Sequence, residues 1–241
     1  MSQVDPRSQR RRSRPWGWAL ALGWGVLAAG GGPSLAGPSP PCVFDGEGEL
    51  VAITLSFPPP RYQHTLGAAE IKRISPEANA RNTLVFGETL LRTFHESRYQ
   101  FLIRELNDGA VCSMVKKVEL TLGYQEPVVH IAREYPQGGC EYLAILDHEH
   151  RHINALRDVA VRFEGKIRRE VEQEIRRIGA VRNPPGGPRE YLKTKMDAVI
   201  DRLMRQYKEA VNQANARVDA PASREKDFAQ CRNWGVKMKV N

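Results

Sequence analysis

Asp147-His148-Glu149-His150-Arg151-His152 is the stretch on which the reading of this chain turns. Within it, His148-Glu149-x-x-His152 fits the pattern H-E-x-x-H. Residues four apart on a helix share a face, so His148 and His152 can present two imidazole nitrogens to one Zn²⁺. Glu149 then stands where a general base can work on a metal-activated water. The plain alternative is an exposed polar helix turn that happens to hold three histidines. The flanking pattern favours the first reading. Ile145, His148, His152, Leu156, Val159, Phe163, Ile167, Val171, Ile175 and Ile178 recur at steps of three and four from Glu141 onward. The pattern predicts one long helix whose inward stripe carries His148 and His152 and whose outer side carries His150. Gly165 is a place where it could kink.

Downstream, Arg182-Asn183-Pro184-Pro185-Gly186-Gly187-Pro188 breaks the pattern. A second stripe follows through Leu192, Met196, Val199, Leu203, Tyr207, Ala210 and Ala214. Two apolar stripes joined by a tight loop predict an antiparallel helical hairpin. Cys140 lies 45 residues before Pro185 and Cys231 lies 46 after it, so a fold at that loop brings the two cysteines together. This pairing leaves Cys42 to Cys112. Four cysteines without paired C-x-x-C spacing read as two disulfides rather than a structural zinc site.

Upstream the period is two. Val51, Ile53, Leu55 and Phe57 alternate until Pro58-Pro59-Pro60. Arg98 to Glu105 and Val111 to Leu122 alternate around the turn Asn107-Asp108-Gly109, and Val128 to Ala132 follows Gln125-Glu126-Pro127. This reads as an antiparallel β-meander. Between these, Ala68 to Ile74 suits a short helix and Thr83 to Phe86 a strand. The predicted fold is α+β: a meander packed on the motif-bearing helix, which pairs with a C-terminal helix.

The chain has 241 residues, 41% of them hydrophobic, enough for one good core. Its formal charge of +8 is uneven. Residues 1–36 hold five arginines against Asp5; removing them leaves 31 basic and 27 acidic residues, or +4. That balance gives no support to nucleic-acid binding. The same segment reads as a signal peptide: arginines to Arg14, an apolar run from Trp16 to Ala29, and Ser34-Leu35-Ala36 for cleavage. Its run is short and glycine-rich for a membrane span, though a retained anchor is the competing reading. The expected organisation is therefore a signal peptide at 1–36 and one domain at 37–241, mainly β over 37–139 and helical over 140–241, in a periplasmic or secreted protein without stable membrane insertion.

A catalytic zinc needs three protein ligands and an open position. Asp158 follows His152 by six residues, but an unbroken helix turns it about 120° away. Glu170 shares His152's azimuth but lies roughly 27 Å along the helix axis. The hairpin instead returns residues 215–223 to the motif, making Asp219 the leading third ligand; Glu225, Asp227 and His130 come next. Tyr142, Arg151 and His130 are candidate oxyanion donors. Asp147 projects off the ligand face and suits the helix N-terminal turn. No G-x-S-x-G, Walker loop or G-x-G-x-x-G competes.

The β-to-helix layout with His148-Glu149-x-x-His152 resembles the zincin metallopeptidases. More narrowly, the signal segment, Cys140 ahead of the motif helix and the helical C-terminal part resemble bacterial families described as predicted secreted zinc-dependent proteases. The likeness covers about residues 95–231 by layout, and His148, Glu149 and His152 as a motif. It implies Zn²⁺, Glu149 as the base, a protein or peptide substrate, and an edge strand lining up that substrate, here Val128 to Ala132. A zinc-dependent amidase acting on a non-peptide substrate, and a non-enzymatic envelope protein whose hairpin binds a partner, are the alternatives.

Overall fold

The computed structural model describes residues 41–44, 49–75, 85–184, 186–232 and 234. The expected signal peptide lies outside these residues, as do Thr83 and Leu84 of the strand expected over Thr83 to Phe86; Val85 and Phe86 are not in a strand, which begins instead at Gly87. Contacts divide the chain at Ser39/Pro40, and everything described belongs to the second unit.

The fold is α+β, with two mixed sheets against a helical hairpin. In the first sheet, β4 (Thr93–Glu105) and β5 (Val111–Tyr124) form the expected hairpin, with Gly109 at φ +77° in its turn. A positive φ there is cheap for glycine alone. On the other edge of β5 lie β1 (Val51–Ser56), parallel, and the short β7 (Val181–Arg182), antiparallel. The second sheet has the order β2 (Arg61–Gln63), β6 (Val128–Ile131), β3 (Gly87–Leu90). Here β2 runs parallel to β6 and β3 antiparallel.

Two expectations change. The strand at 128–131 does not extend a meander, because β4 occupies one edge of β5 and β1 with β7 occupies the other. The chain after Tyr124 must seek a new partner. Gln125 N–H bonds the Arg92 carbonyl and Pro127 supplies its carbonyl to Arg61, which starts the second sheet. Consequently β6 is the central strand of its sheet, and β3 is an edge.

After the short α1 (Ala68–Ile74), the helices follow the apolar periods closely. α2 (Cys140–Ile178) runs 39 residues, unbroken through Gly165. Its end is set by Gly179, whose φ of +59° lets the N–H bond the Ile175 carbonyl. α3 (Pro188–Val218) starts on Pro188, where a missing N–H costs nothing. Leu156, Val159, Ile167 and Val171 of α2 share the core with Leu192, Met196, Leu203 and Val211 of α3, and with Val118, Leu120 and Leu122 of β5. Burying side chains of this kind is worth about 1.5–3 kcal/mol each. The solvated flank carries the expected Glu164–Arg168 and Glu172–Arg176 pairs at 3.3 and 3.6 Å. A last short helix, α4 (Pro221–Ala229), leads to Cys231.

Both expected disulfides are present: Cys42–Cys112 and Cys140–Cys231, with Cα separations of 5.6 and 5.9 Å. Two such bonds indicate an oxidising environment outside the reducing cytoplasm. Among the described residues no helix is long and apolar enough to cross a membrane.

Candidate metal centre

The third turn of α2 brings His148 and His152 onto one face, their ring centroids 4.9 Å apart. Asp219 caps the C-terminus of α3, its N–H bonded to the Asn215 carbonyl at 3.1 Å. The antiparallel hairpin places that cap over the two imidazoles. His148 Nε2 lies 3.2 Å from His152 Nε2, and Asp219 Oδ1 lies 3.4 and 3.6 Å from them respectively. A tetrahedron with bonds of about 2.0–2.1 Å has edges of about 3.3 Å. The three atoms therefore stand at the spacing of ligands around one small cation. Among the described residues this is the group of His, Cys, Asp and Glu that could hold a metal.

The other ring nitrogens are oriented from outside. His148 Nδ1 is 2.9 Å from Asp227 Oδ2, and His152 Nδ1 is 3.2 Å from Asn215 Oδ1. With Nδ1–H donated outward, each Nε2 turns a lone pair to the site. Arg151 Nη2 also approaches His148 Nδ1, at 3.2 Å. The nearer, anionic Asp227 decides where that proton sits. Arg151 donates to the second Asp227 oxygen and, at 2.9 Å, to Ser223. Asp227 thus bridges Arg151 and His148 while 7% exposed.

Glu149 occupies a separate niche between α2 and β3. It is 4% exposed, and Oε2 accepts from Thr89 Oγ1 at 2.8 Å. Gly87 makes the niche possible. A Cβ there would stand 2.5 Å from Ile145 Cγ2 and 2.7 Å from Glu149 Oε1. Burial pushes the Glu149 carboxyl above its ordinary range, against the pull of His152, His148 and the Thr89 hydroxyl. Burial would also raise the Asp219 carboxyl, but bonds to His148, His152 and Arg224 hold it well below the usual range. For His152, burial opposes the charged form, while Asp219, Glu149 and Asn215 outweigh it and raise the pKa.

These groups open on a cleft of about 710 Å³. β3 and Leu91–Thr93 form one wall and α2 another; the end of α3, α4 and Trp234 close the third side. Phe86, Ile145, Leu156 and Phe228 make much of it apolar, and Arg224 stands in it 3.1 Å from Asp219 Oδ1.

The remaining candidates lie elsewhere. Asp227, expected as an alternative ligand, sits on the far nitrogen of His148. Glu225 is exposed. His130 is buried in β6 with Nδ1 unpartnered, its pKa lowered by burial, and is not part of the cleft wall. Tyr142 packs edge-on against His64 with centroids 5.3 Å apart, and Arg151 is committed to Asp227 and Ser223, so neither is placed as an oxyanion donor. Asp147 is exposed and meets Arg151 at 3.6 Å. Asp158 is exposed, and Glu170 pairs with Arg202 at 2.7 Å. His150 bonds the Tyr62 hydroxyl at 2.8 Å, away from the ligand face. The strand expected to border a substrate, 128–132, is internal to its sheet; β3 borders the cleft instead.

Thr89, Asn215 and Gly87 escaped the sequence reading. Asn215 had a usable signal, since it precedes Asp219 by one helical turn. Thr89 and Gly87 had none, because their role depends on the register of β3 against α2.

No protein-family model, curated protein or solved structure matches the chain.

Proposed function

We propose that the protein is an exported zinc-dependent hydrolase of zincin type, acting as a metallopeptidase outside the cytoplasm. The observation that carries this reading is the convergence of His148 Nε2, His152 Nε2 and Asp219 Oδ1 beside the buried carboxyl of Glu149. Two imidazoles and a carboxylate are a donor set suited to a catalytic zinc site with one position open. Zn²⁺ held there would supply a Lewis acid that polarises a scissile carbonyl and lowers the pKa of water to about 7.

The chain's own residues supply the rest. Glu149, made more basic by burial, takes the proton of the attacking water and passes it to the leaving nitrogen. Thr89 fixes its carboxyl orientation. Asp227 and Asn215 hold the imidazoles in the tautomer that faces the cation. Among the described residues β3 is paired on one side, by β6, so its cleft-facing edge suits an extended peptide backbone. The apolar cleft walls exclude water from the reacting groups.

The test combines metal analysis with one substitution. Purified protein should carry about one zinc per chain, and its hydrolysis of an unstructured protein such as casein should stop on chelation. Glu149→Gln should retain the zinc and lose at least 100-fold in kcat, within the range general-base removal produces. Absence of stoichiometric zinc binding would overturn the reading. Zinc binding without hydrolysis of peptide or other amide substrates would favour a metal-stabilised envelope protein that binds a partner through its hairpin.

A further inference from the structure

We propose that the Cys140–Cys231 disulfide is a redox latch on this metal site, so that zinc is held tightly only after the disulfide has formed; this rests on the zinc reading above. The latch acts through α4. Of its nine residues, all described, only Asp227 is buried, and Asp227 is the residue that orients His148. Its other ties to α2 are polar: Arg151 to Asp227 and Ser223. Its apolar anchor is the half-buried Phe228, packed on Trp234 with centroids 5.1 Å apart, and a nine-residue helix has little stability of its own. It is fastened at the near end by Asp219, continuous with α3. At the far end two tethers follow it, the disulfide to the first residue of α2 and Trp234, seated among Phe86, Tyr135 and Phe228. The disulfide alone of these can be released by chemistry without substitution.

The bond is also open to attack. Cys140 is exposed and offers its sulfur to attack although Cys231 is buried; in the other disulfide Cys112 is fully buried and Cys42 half-buried. A dithiol reductant breaks the Cys140–Cys231 bond by exchange. Its two sulfurs join to each other, and its two hydrogens end on the Cys140 and Cys231 thiols. Beyond Asp219, α4 then keeps as its apolar anchor only the packing of Phe228 on Trp234, and the hold of Asp227 on His148 loosens. His148 loses the carboxylate that fixes its tautomer, while His152, Asn215 and Asp219 stay on the packed hairpin. Removing such an outer partner weakens metal affinity about 10–100-fold. Linkage makes the effect mutual: bound zinc should make the disulfide harder to reduce by the same factor.

The experiment starts from the folded, disulfide-bonded protein. Brief dithiothreitol treatment, alkylation with iodoacetamide and desalting give a form with two blocked cysteines, confirmed by mass; blocking prevents the thiols from binding zinc themselves. Competition against a chromophoric chelator should show zinc affinity 10–100-fold weaker than in untreated protein, with circular dichroism unchanged. Cys42→Ser/Cys112→Ser should leave zinc affinity intact. Asp227→Asn, which keeps the disulfide, should reproduce the loss. If the alkylated form unfolds, the dithiothreitol concentration that half-reduces Cys140–Cys231, measured with and without zinc, decides the matter and should rise with zinc. Affinity within twofold of the untreated protein in the alkylated form, or an unchanged half-reduction point when that arm decides, would overturn the latch and leave the zinc reading standing. Failure of the untreated protein to bind zinc would remove both.

Discussion

Asp219, His152 and Glu149 are in tension wherever no cation joins them. Asp219 has a folded pKa below its ordinary 3.8, so its stabilising contribution is present above 3.8 and is lost as pH falls through the lower folded value. His152 has a folded pKa above 6.5, so its contribution is full below 6.5 and is lost as pH rises through the higher folded value. Glu149, raised from 4.5, loses its contribution in the same direction as pH climbs. Site-derived stability of the metal-free protein is therefore greatest on the acid side of neutrality. A chelator-treated sample should melt higher at pH 5.5 than at pH 7.5. Zinc should reverse the order, because protons on the same imidazoles compete with it. Thermal-shift curves at the two pH values, with and without zinc, check both halves. Much of this was readable beforehand at the residue scale. His148, Glu149 and His152 declare themselves by spacing, and Asp219 follows from counting residues around Pro185. Asp227 was visible only as a nearby acid, because the turn at Ala220-Pro221 that aims it at Nδ1 leaves no periodic trace.

β3 shows what an element can hide. Gly87-Glu88-Thr89-Leu90 has neither the β-branched richness nor the alternation that marks a strand, and its partner β6 lies some forty residues on. Its position is fixed by pairing, not by local preference. The long helices, in contrast, repeat their signal ten times in α2 and seven in α3 and were legible almost residue by residue. The parallel pairings of β1 with β5 and β2 with β6 were illegible for the same reason as β3. β3 also carries a sharp test. Gly87→Ala puts a methyl group 2.5 Å from Ile145 Cγ2 and 2.7 Å from Glu149 Oε1, so both side chains must shift. Overpacking of this kind costs about 1–3 kcal/mol. The variant should melt lower and, on the proposed reading, lose hydrolysis while binding zinc normally, since the crowded carboxyl is the proposed base and lies outside the three ligand atoms. Thr89→Val, nearly isosteric, should keep the melting temperature closer to normal and lower kcat rather than raise KM. Steady-state kinetics and metal content separate the two effects.

Across the whole molecule, the two disulfides divide their labour. Cys42–Cys112 spans 70 residues and ties the first described segment to β5, remote from the cleft. Losing such a native bond typically costs about 2–5 kcal/mol. Cys42→Ser/Cys112→Ser should therefore lower the denaturation midpoint in urea without altering zinc stoichiometry. The cap of α3 carries a consequence on the same scale. Each peptide unit of that 31-residue helix points its dipole along the axis, leaving about half a negative charge at the C-terminus. Asp219 stands at that terminus. A cation between the imidazoles would feel the field of the helix end as well as the carboxylate, and an anionic group approaching the same spot would be repelled by both. The proposed dication at this corner would thus be favoured by the architecture before any one ligand is counted.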